Sequence, residues 1–280
     1  GPSMGYVSGD ASDLAVYDAA AGLWYIRTVS GESLAWAVAW GFATGTAVPG
    51  DYDGDGALDL AVFDTASGNW YIRTLAGATL AWGAPWGWAG AVPVAGDYDG
   101  DGAADLAVFD GASGAWYIRT LSGTLLAWAE LWGWYGAVPV AGDYDGDGLS
   151  DLCVFDPART LWYILALDGR LLGWELVWGG VGFDPVPGDY DGDRVFDLAV
   201  YYEAGGRWYI RTVAGAAILW DTAWGGPGMS AVSGDYDGDG VWDLAAYQEA
   251  GGPWYIRTVA GDSILWDAAW GGPGMRPVGE

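Results

Sequence analysis

The sequence predicts an all-β fold: a six-bladed β-propeller with four antiparallel strands per blade, its ring closed by a C-terminal strand that completes the first blade. Three observations lead there. A repeat of 46 residues recurs six times, each repeat holds four short strand-like segments, and the chain ends fall at complementary places within it.

The repeat comes first because internal periodicity decides the architecture. Gly-Asp-Tyr-Asp-Gly-Asp begins at Gly50, Gly96, Gly142, Gly188 and Gly234, a constant step of 46. Trp-Tyr-Ile begins at Trp24, Trp70, Trp116, Trp162, Trp208 and Trp254 with the same step. Gly1-Pro2-Ser3-Met4 have the look of a tag-cleavage and cloning scar and are set aside. The rest reads as a single domain of six repeats: 5–50, 51–96, 97–142, 143–188, 189–234 and 235–280.

Within a repeat the reading is strand throughout. Over residues 91–134, Ala91–Gly96 is a short apolar run, and the loop Asp97–Asp105 follows. Then come Leu106–Phe109, a turn at Asp110–Gly114, the strand Trp116–Thr120, a Ser122-Gly123 turn and Leu125–Trp128. Branched and aromatic residues between Gly, Asp and Ser turns are strand chemistry, and no segment keeps a helical period. Four short strands in 46 residues is the size of a propeller blade. A solenoid would need polar terminal caps, which neither end has. Instead Tyr6 is in register with Tyr52, inside the loop, while Val278-Gly279-Glu280 ends the segment that should precede that loop. The last residues are expected to supply the innermost strand of the first blade and so remove two sheet edges.

The loop reads Asp-x-Asp-x-Asp-Gly-x-x-Asp and points to a cation. The carboxylates are Asp51, Asp53, Asp55 and Asp59; Asp97, Asp99, Asp101 and Asp105; and Asp143, Asp145, Asp147 and Asp151. The fifth and sixth repeats supply Asp189, Asp191, Asp193 and Asp197, then Asp235, Asp237, Asp239 and Asp243. Left bare, each like-charged pair at ~4 Å would cost about 4 kcal/mol at an effective dielectric of ~20. Hard oxygen donors in a flexible loop suit calcium better than zinc, copper or octahedral magnesium. The carbonyls at position seven (Ala57, Ala103, Leu149, Val195 and Val241) are plausible further ligands. An EF-hand is excluded, since position twelve holds Val62, Val108, Val154, Val200 or Ala246 where that motif needs glutamate. Two copies depart: Arg194 replaces the loop glycine of the fifth repeat, and the first repeat keeps only Asp13 in register, so no calcium is expected there.

Composition agrees. The 280 residues carry 10 Lys+Arg against 37 Asp+Glu, a formal charge of −27 that argues against nucleic acid and anionic membranes. Five divalent ions would bring it to −17. No apolar stretch is long enough to insert in a membrane as a helix. Histidine is absent, which removes the commonest general base. The off-repeat acids Glu130 and Glu175 have no pairing partner in the pattern, so an enzyme is not expected. Cys153 takes a repeat position that is alanine elsewhere and reads as a small buried residue.

The pattern Val94–Gly102 followed by Asp105–Phe109 resembles FG-GAP/VCBS-type repeats, the calcium-loop blades of integrin α-subunit propellers and many bacterial surface proteins. The resemblance covers all six repeats and implies calcium at the matching aspartates, placed between the first and second strands of a blade. One branch of that family comprises fungal lectins that bind sugars between blades.

Eighteen of the 21 tryptophans occupy three repeat positions, the 24, 36 and 40 series, and packing between blades is the simplest reading for all three. Arg27, Arg73, Arg119, Arg211 and Arg257 keep register as well and are expected to pair with carboxylates. In a meander the aspartate loop and the Ser-Gly turn share one face, and the divergent loop after the third tryptophan lies on the other. Phe42, Trp88, Trp134 and Tyr135 in those divergent loops form a candidate ligand-binding patch. The function expected is a non-catalytic, monomeric, extracellular or cell-surface module that binds calcium and recognises carbohydrate or an extracellular protein. The alternative is a structural or spacer propeller, favoured by the near-duplication of Glu203–Met229 in Glu249–Met275.

Overall fold

The computed structural model describes residues 5–6 and 11–279; Gly1–Met4, Val7–Asp10 and Glu280 lie outside. The chain is an all-β six-bladed β-propeller whose described residues form six four-stranded antiparallel sheets, with one 3-10 turn at Glu203–Gly205. Blade three shows the plan. Its strands, from innermost to outermost, are Val92–Pro93, Leu106–Asp110, Ala115–Arg119 and Leu125–Leu131.

Burial is greatest on the second strand of a blade and falls outward from there, for a reason visible in the residues. The second strand (Leu-Ala-Val-Phe in blade three) is buried on both faces, so it reads as a continuous apolar run. The third alternates: Trp116 and Ile118 are buried while Tyr117 and Arg119 are half-buried. The outermost is largely exposed. Cys153 sits on a second strand and is buried and unpaired with another thiol, as its alanine counterparts suggest.

The blades fall into two compact units, Thr46–Val181 and Gly1–Gly45 with Gly182–Glu280. In the first, Tyr52, Phe63 and Trp70 of blade two form one buried cluster with Leu106 and Val108 of blade three. Blades three and four share another through Phe109, Trp116, Leu152 and Val154. In the second unit, Leu14 and Val16 of blade one pack with Tyr247 and Trp254 of blade six. Each fully buried tryptophan removes about 150–250 Å² from water, which explains why one recurs in every repeat.

Blade one is completed by the strand Arg276–Val278, which pairs antiparallel with Leu14–Asp18 in the register Ala15↔Val278 and Tyr17↔Arg276. The Asp-x-x-Ser-Gly turn is built by Asp64, whose carboxylate accepts from Ala66 N (3.0 Å) and Ser67 Oγ (2.5 Å). It ends at Gly68, φ 78°, where a Cβ would meet the Gly87 carbonyl carbon at 2.2 Å. Only glycine fits so close a backbone approach.

Candidate metal centres and aromatic clefts

The aspartate loop joins the innermost strand of a blade to its second. In blade two the loop is pinned shut by the bridge Gly50↔Asp59, and Asp59 N donates to Gly50 O at 2.8 Å. Asp51 accepts from Gly54 N and Gly56 N, both at 2.7 Å, so its carboxylate organises the turn from inside. Asp59 accepts from Tyr52 N at 2.9 Å, and Asp55 from Ala57 N at 2.9 Å. The same pattern recurs at Tyr98/Asp105, Tyr144/Asp151, Tyr190/Asp197 and Tyr236/Asp243. At the first repeat, Tyr6 N donates to Asp13 Oδ2 at 2.8 Å, which bears out the register of Tyr6 with Tyr52. Val7–Asp10 of that loop lie outside the described residues, and with them the expectation of a calcium-free loop.

In each of the five loops three carboxylate oxygens from three aspartates lie within 4.8 Å of one another. In blades two, four and five the set is positions one, three and nine: Asp51, Asp53, Asp59; Asp143, Asp145, Asp151; and Asp189, Asp191, Asp197. In blades three and six it is positions one, three and five: Asp97, Asp99, Asp101; and Asp235, Asp237, Asp239. Oxygens ~2.3–2.6 Å from a common centre lie up to about 5 Å apart, so these donor sets fit a hard divalent cation. The residues at position seven turn their N–H groups to the position-five aspartate, as Ala103 does to Asp101, Leu149 to Asp147, Val195 to Asp193 and Val241 to Asp239.

Electrostatics point the same way. Burial, with Asp51, Asp53 and Asp55 close by, pushes Asp59 up to about 7 despite the bond from Tyr52 N. Asp105, Asp151 and Asp197 also rise to about 7 and Asp243 to about 8, from the same causes. A cation would remove the cost of holding these carboxylates ionised.

Consecutive loops within a unit are joined by backbone bonds. Ala104 N donates to Asp51 O (2.5 Å) and Ser150 N to Asp97 O (2.6 Å). In the other unit Trp242 N donates to Asp189 O (2.7 Å) and Ser12 N to Asp235 O (2.6 Å). Arg194 takes up φ 70°, and its N–H still donates to Asp189 Oδ2 at 2.7 Å, so the loop glycine is replaced without loss of the loop's shape.

The tryptophan series separate into three kinds. The 24 series is fully buried, and each indole N–H donates to the carbonyl of a 40-series residue, as Trp70 Nε1 does to Trp86 O at 2.7 Å. The 40 series is half-buried, and Trp86, Trp132 and Trp224 reach the next blade: Trp86 Nε1 donates to Tyr117 O at 3.2 Å, Trp132 Nε1 to Tyr163 O and Trp224 Nε1 to Tyr255 O, each also at 3.2 Å. The 36 series corrects the packing expectation, since Trp36, Trp82, Trp128, Trp174, Trp220 and Trp266 are 57–73% exposed. A bulge with positive φ follows each, at Ala37, Gly83, Ala129, Glu175, Asp221 and Asp267. Such bulges re-aim side chains.

The arginines need a correction too. Among the described residues Arg27, Arg119 and Arg257 form no ion pair with a carboxylate. Arg27, Arg119 and Arg257 lie over the rings of Trp270, Trp86 and Trp224, at 5.3, 5.1 and 5.5 Å from the centroids. The local reason is that their strand ends beside an indole of the preceding blade, so cation–π contact takes the place of the salt bridge.

Between blades two and three these groups make one cleft. Trp86 lies 6.0 Å from Trp128, Trp128 is edge-on to Tyr117 at 5.3 Å, and Trp88 meets Tyr117 at 5.0 Å. Between blades three and four Trp132, Trp174, Tyr163 and Trp134 repeat it, with Leu165 in place of the arginine. In the other unit Trp224, Trp266 and Tyr255, and Trp270, Trp36 and Tyr25, make two more. Trp88 and Trp134 therefore join separate clefts, Tyr135 is 85% exposed, and Phe42 is half-buried with its carbonyl and N–H both against Tyr17 Oη. Polar groups stand beside the exposed indoles: Asp267, next to Trp266, accepts from Tyr255 Oη at 2.9 Å, and Asp221, next to Trp220, from Tyr209 Oη at 2.8 Å.

Residues 51–108 and 97–154 match the FG-GAP-like repeat family. No curated protein sequence matches the chain. A lectin from Agrocybe aegerita, solved for its specific recognition of non-reducing terminal N-acetylglucosamine, is similar in structure: 14% identical, covering 95% of this chain and 84% of that one, TM-score 0.58. A Bacteroides caccae protein of unknown function covers 96% of this chain and 100% of its own, at 13% identity and TM-score 0.58. Virginiamycin B lyase from Staphylococcus aureus is 14% identical over 79% of this chain and 69% of its own, TM-score 0.51. At these identities the likeness concerns the fold. No helix among the described residues is long and apolar enough to cross a membrane. The chain is a six-bladed β-propeller whose residues 51–154 match FG-GAP-like repeats.

Proposed function

We propose that the chain is a non-catalytic recognition propeller in which calcium holds the five aspartate loops and glycan is taken at the aromatic clefts between blades. The observation that carries the second half is the 36 series: a tryptophan held out to solvent at 57–73% exposure in every repeat, beside a tyrosine and, in the four clefts described, a second indole. Packing does not call for so much exposed indole, whereas the apolar face of a sugar ring stacks on it. Arg119, Asp221 and Asp267 supply hydrogen-bonding groups for hydroxyls beside the indoles. The sugar recognised by the structurally similar Agrocybe aegerita lectin makes N-acetylglucosamine the first candidate. Trp88 and Trp134, with the exposed Tyr135 next to the latter, would give the clefts between blades two and three and between blades three and four their individual character.

In each loop the calcium ligands would be the four aspartates and the carbonyl at position seven. Bound calcium supplies the counter-charge that fixes the loop; the chain's own residues set the turn through Asp51 and its counterparts. Calcium dependence fits an extracellular or cell-surface setting, where free calcium is ~mM.

A glycan array with and without chelator tests both halves. Binding to N-acetylglucosamine-terminated glycans, lost by at least tenfold in Trp128→Ala with Trp174→Ala, is expected, and EDTA should lower the melting temperature by several degrees with recovery on adding calcium. A chain that binds no sugar would leave the structural propeller or a protein-binding module, and an EDTA-insensitive melt would remove calcium from the account.

A further inference from the structure

The five aspartate loops are not equivalent, and the difference comes from a turn on the same face. In blade four the turn between the third and outermost strands reads Asp168-Gly169-Arg170. The other repeats hold Glu32, Ala78, Thr124, Ala216 or Asp262 where Arg170 stands, and only serine or alanine where Asp168 stands. Arg170 Nε donates to Asp168 Oδ2 at 2.7 Å and Arg170 N to Asp168 Oδ1 at 3.0 Å, so Asp168 aims the guanidinium. Nη1 then donates to Asp145 Oδ2, and Nη2 to Asp147 Oδ2 at 2.7 Å. Asp145 and Asp147 are positions three and five of the fourth loop.

This uses up the loop's oxygens. Asp145 Oδ1 already accepts from Asp147 N (3.2 Å) and Asp147 Oδ1 from Leu149 N (3.0 Å), so with the guanidinium in place both oxygens of each carboxylate are bonded. Asp145 is also one of the three aspartates, with Asp143 and Asp151, whose oxygens converge to hold a cation. The corresponding Asp53 and Asp55, Asp99 and Asp101, Asp191 and Asp193, and Asp237 and Asp239 form no ion pair among the described residues.

We infer that Arg170 is a tethered counter-cation of the fourth aspartate loop, which takes a divalent cation only by displacing the guanidinium and so fills last of the five. The inference rests on the calcium reading of the loops and adds an order of filling to it. It also gives the metal-free chain one loop that carries its own counter-charge, where two carboxylates meet a planar fork suited to bridging them.

Calcium titration of the decalcified chain by calorimetry, with ions counted by native mass spectrometry, tests this. The wild-type chain should show four ions in an early class and a fifth needing about tenfold more free calcium, the scale of a guanidinium–carboxylate network at a surface. In Arg170→Gln the fifth ion should join the early class, and its melting temperature in EDTA should fall below wild type while the gap closes in calcium. Asp145→Asn should remove only the late ion. Wild type and Arg170→Gln giving superimposable titrations with five ions in one class would overturn the inference and leave the calcium reading standing. Titrations of both chains without any bound calcium would overturn the calcium reading and the order of filling together.

Discussion

Arg194 and Ala129 hold backbone conformations that suit glycine, at φ 70° and 55°. Their counterparts in other repeats include Gly56 and Gly83, at φ 84° and 67°, and a Cβ added at Gly56 would meet nothing within 4 Å. The cost is therefore backbone strain alone, roughly 1–2 kcal/mol for a non-glycine residue in this region, offset by glycine's extra entropy of about 0.5–1 kcal/mol. Arg194→Gly and Ala129→Gly are each expected to raise unfolding stability by about 1 kcal/mol, read from urea midpoints at unchanged m-value. The glycine at loop position six was legible as a positive-φ position, and the fifth repeat's departure from it stood out. The bulge was not: Ala37, Ala129, Glu175, Asp221 and Asp267 share no residue type that marks a left-handed position. For the same reason sequence periodicity gave all three tryptophan series one role, because a period shows which residues are equivalent and not which way a bulge turns them.

At the level of the loop, the ninth-position aspartates set a pH dependence. Asp59, Asp105, Asp151 and Asp197 lie at about 7 and Asp243 at about 8 in the metal-free fold, above the ~3.9 of an unfolded aspartate. Between those values the folded chain binds more protons than the unfolded one, so stability falls as pH rises. The decalcified protein should therefore be most stable near pH 4 and lose melting temperature steadily towards pH 8. Calcium requires the ionised carboxylates, so its stabilising effect should grow across the same window. Melting curves in EDTA and in calcium at pH 4, 6 and 8 check both signs. The spacing of the loop, its glycines and its strand neighbours were all readable in the sequence, as was the sharing of a face by the loop and the Ser-Gly turn. What Arg170 touches was not readable, since it departs from the repeat and its reach depends on the Asp168 carboxylate that orients it. Arg27, Arg119 and Arg257 misled because charge complementarity suggested carboxylates, while each lies over an indole of the preceding blade.

For the whole molecule, six repeats of 46 residues were enough to give the blade count, the four strands of each blade and the pairing that completes the first. Five blades draw all their strands from one continuous stretch of chain; blade one does not. Its second strand, Leu14–Asp18, presents four buried residues and pairs with Arg276–Val278, some 260 positions later. During synthesis, or in a refolding mixture, the inner edge of Leu14–Asp18 stays open until Arg276–Val278 arrives, and an open apolar edge accepts whatever strand reaches it first. A neighbouring chain carries the same Arg276–Val278 segment, so exchange of that strand would join two propellers through a native interface. Refolding at high protein concentration should accordingly yield a dimer fraction on size exclusion that is absent after dilute refolding, and truncation before Arg276 should abolish it. The seam that finishes the fold is also its point of entry for a twin.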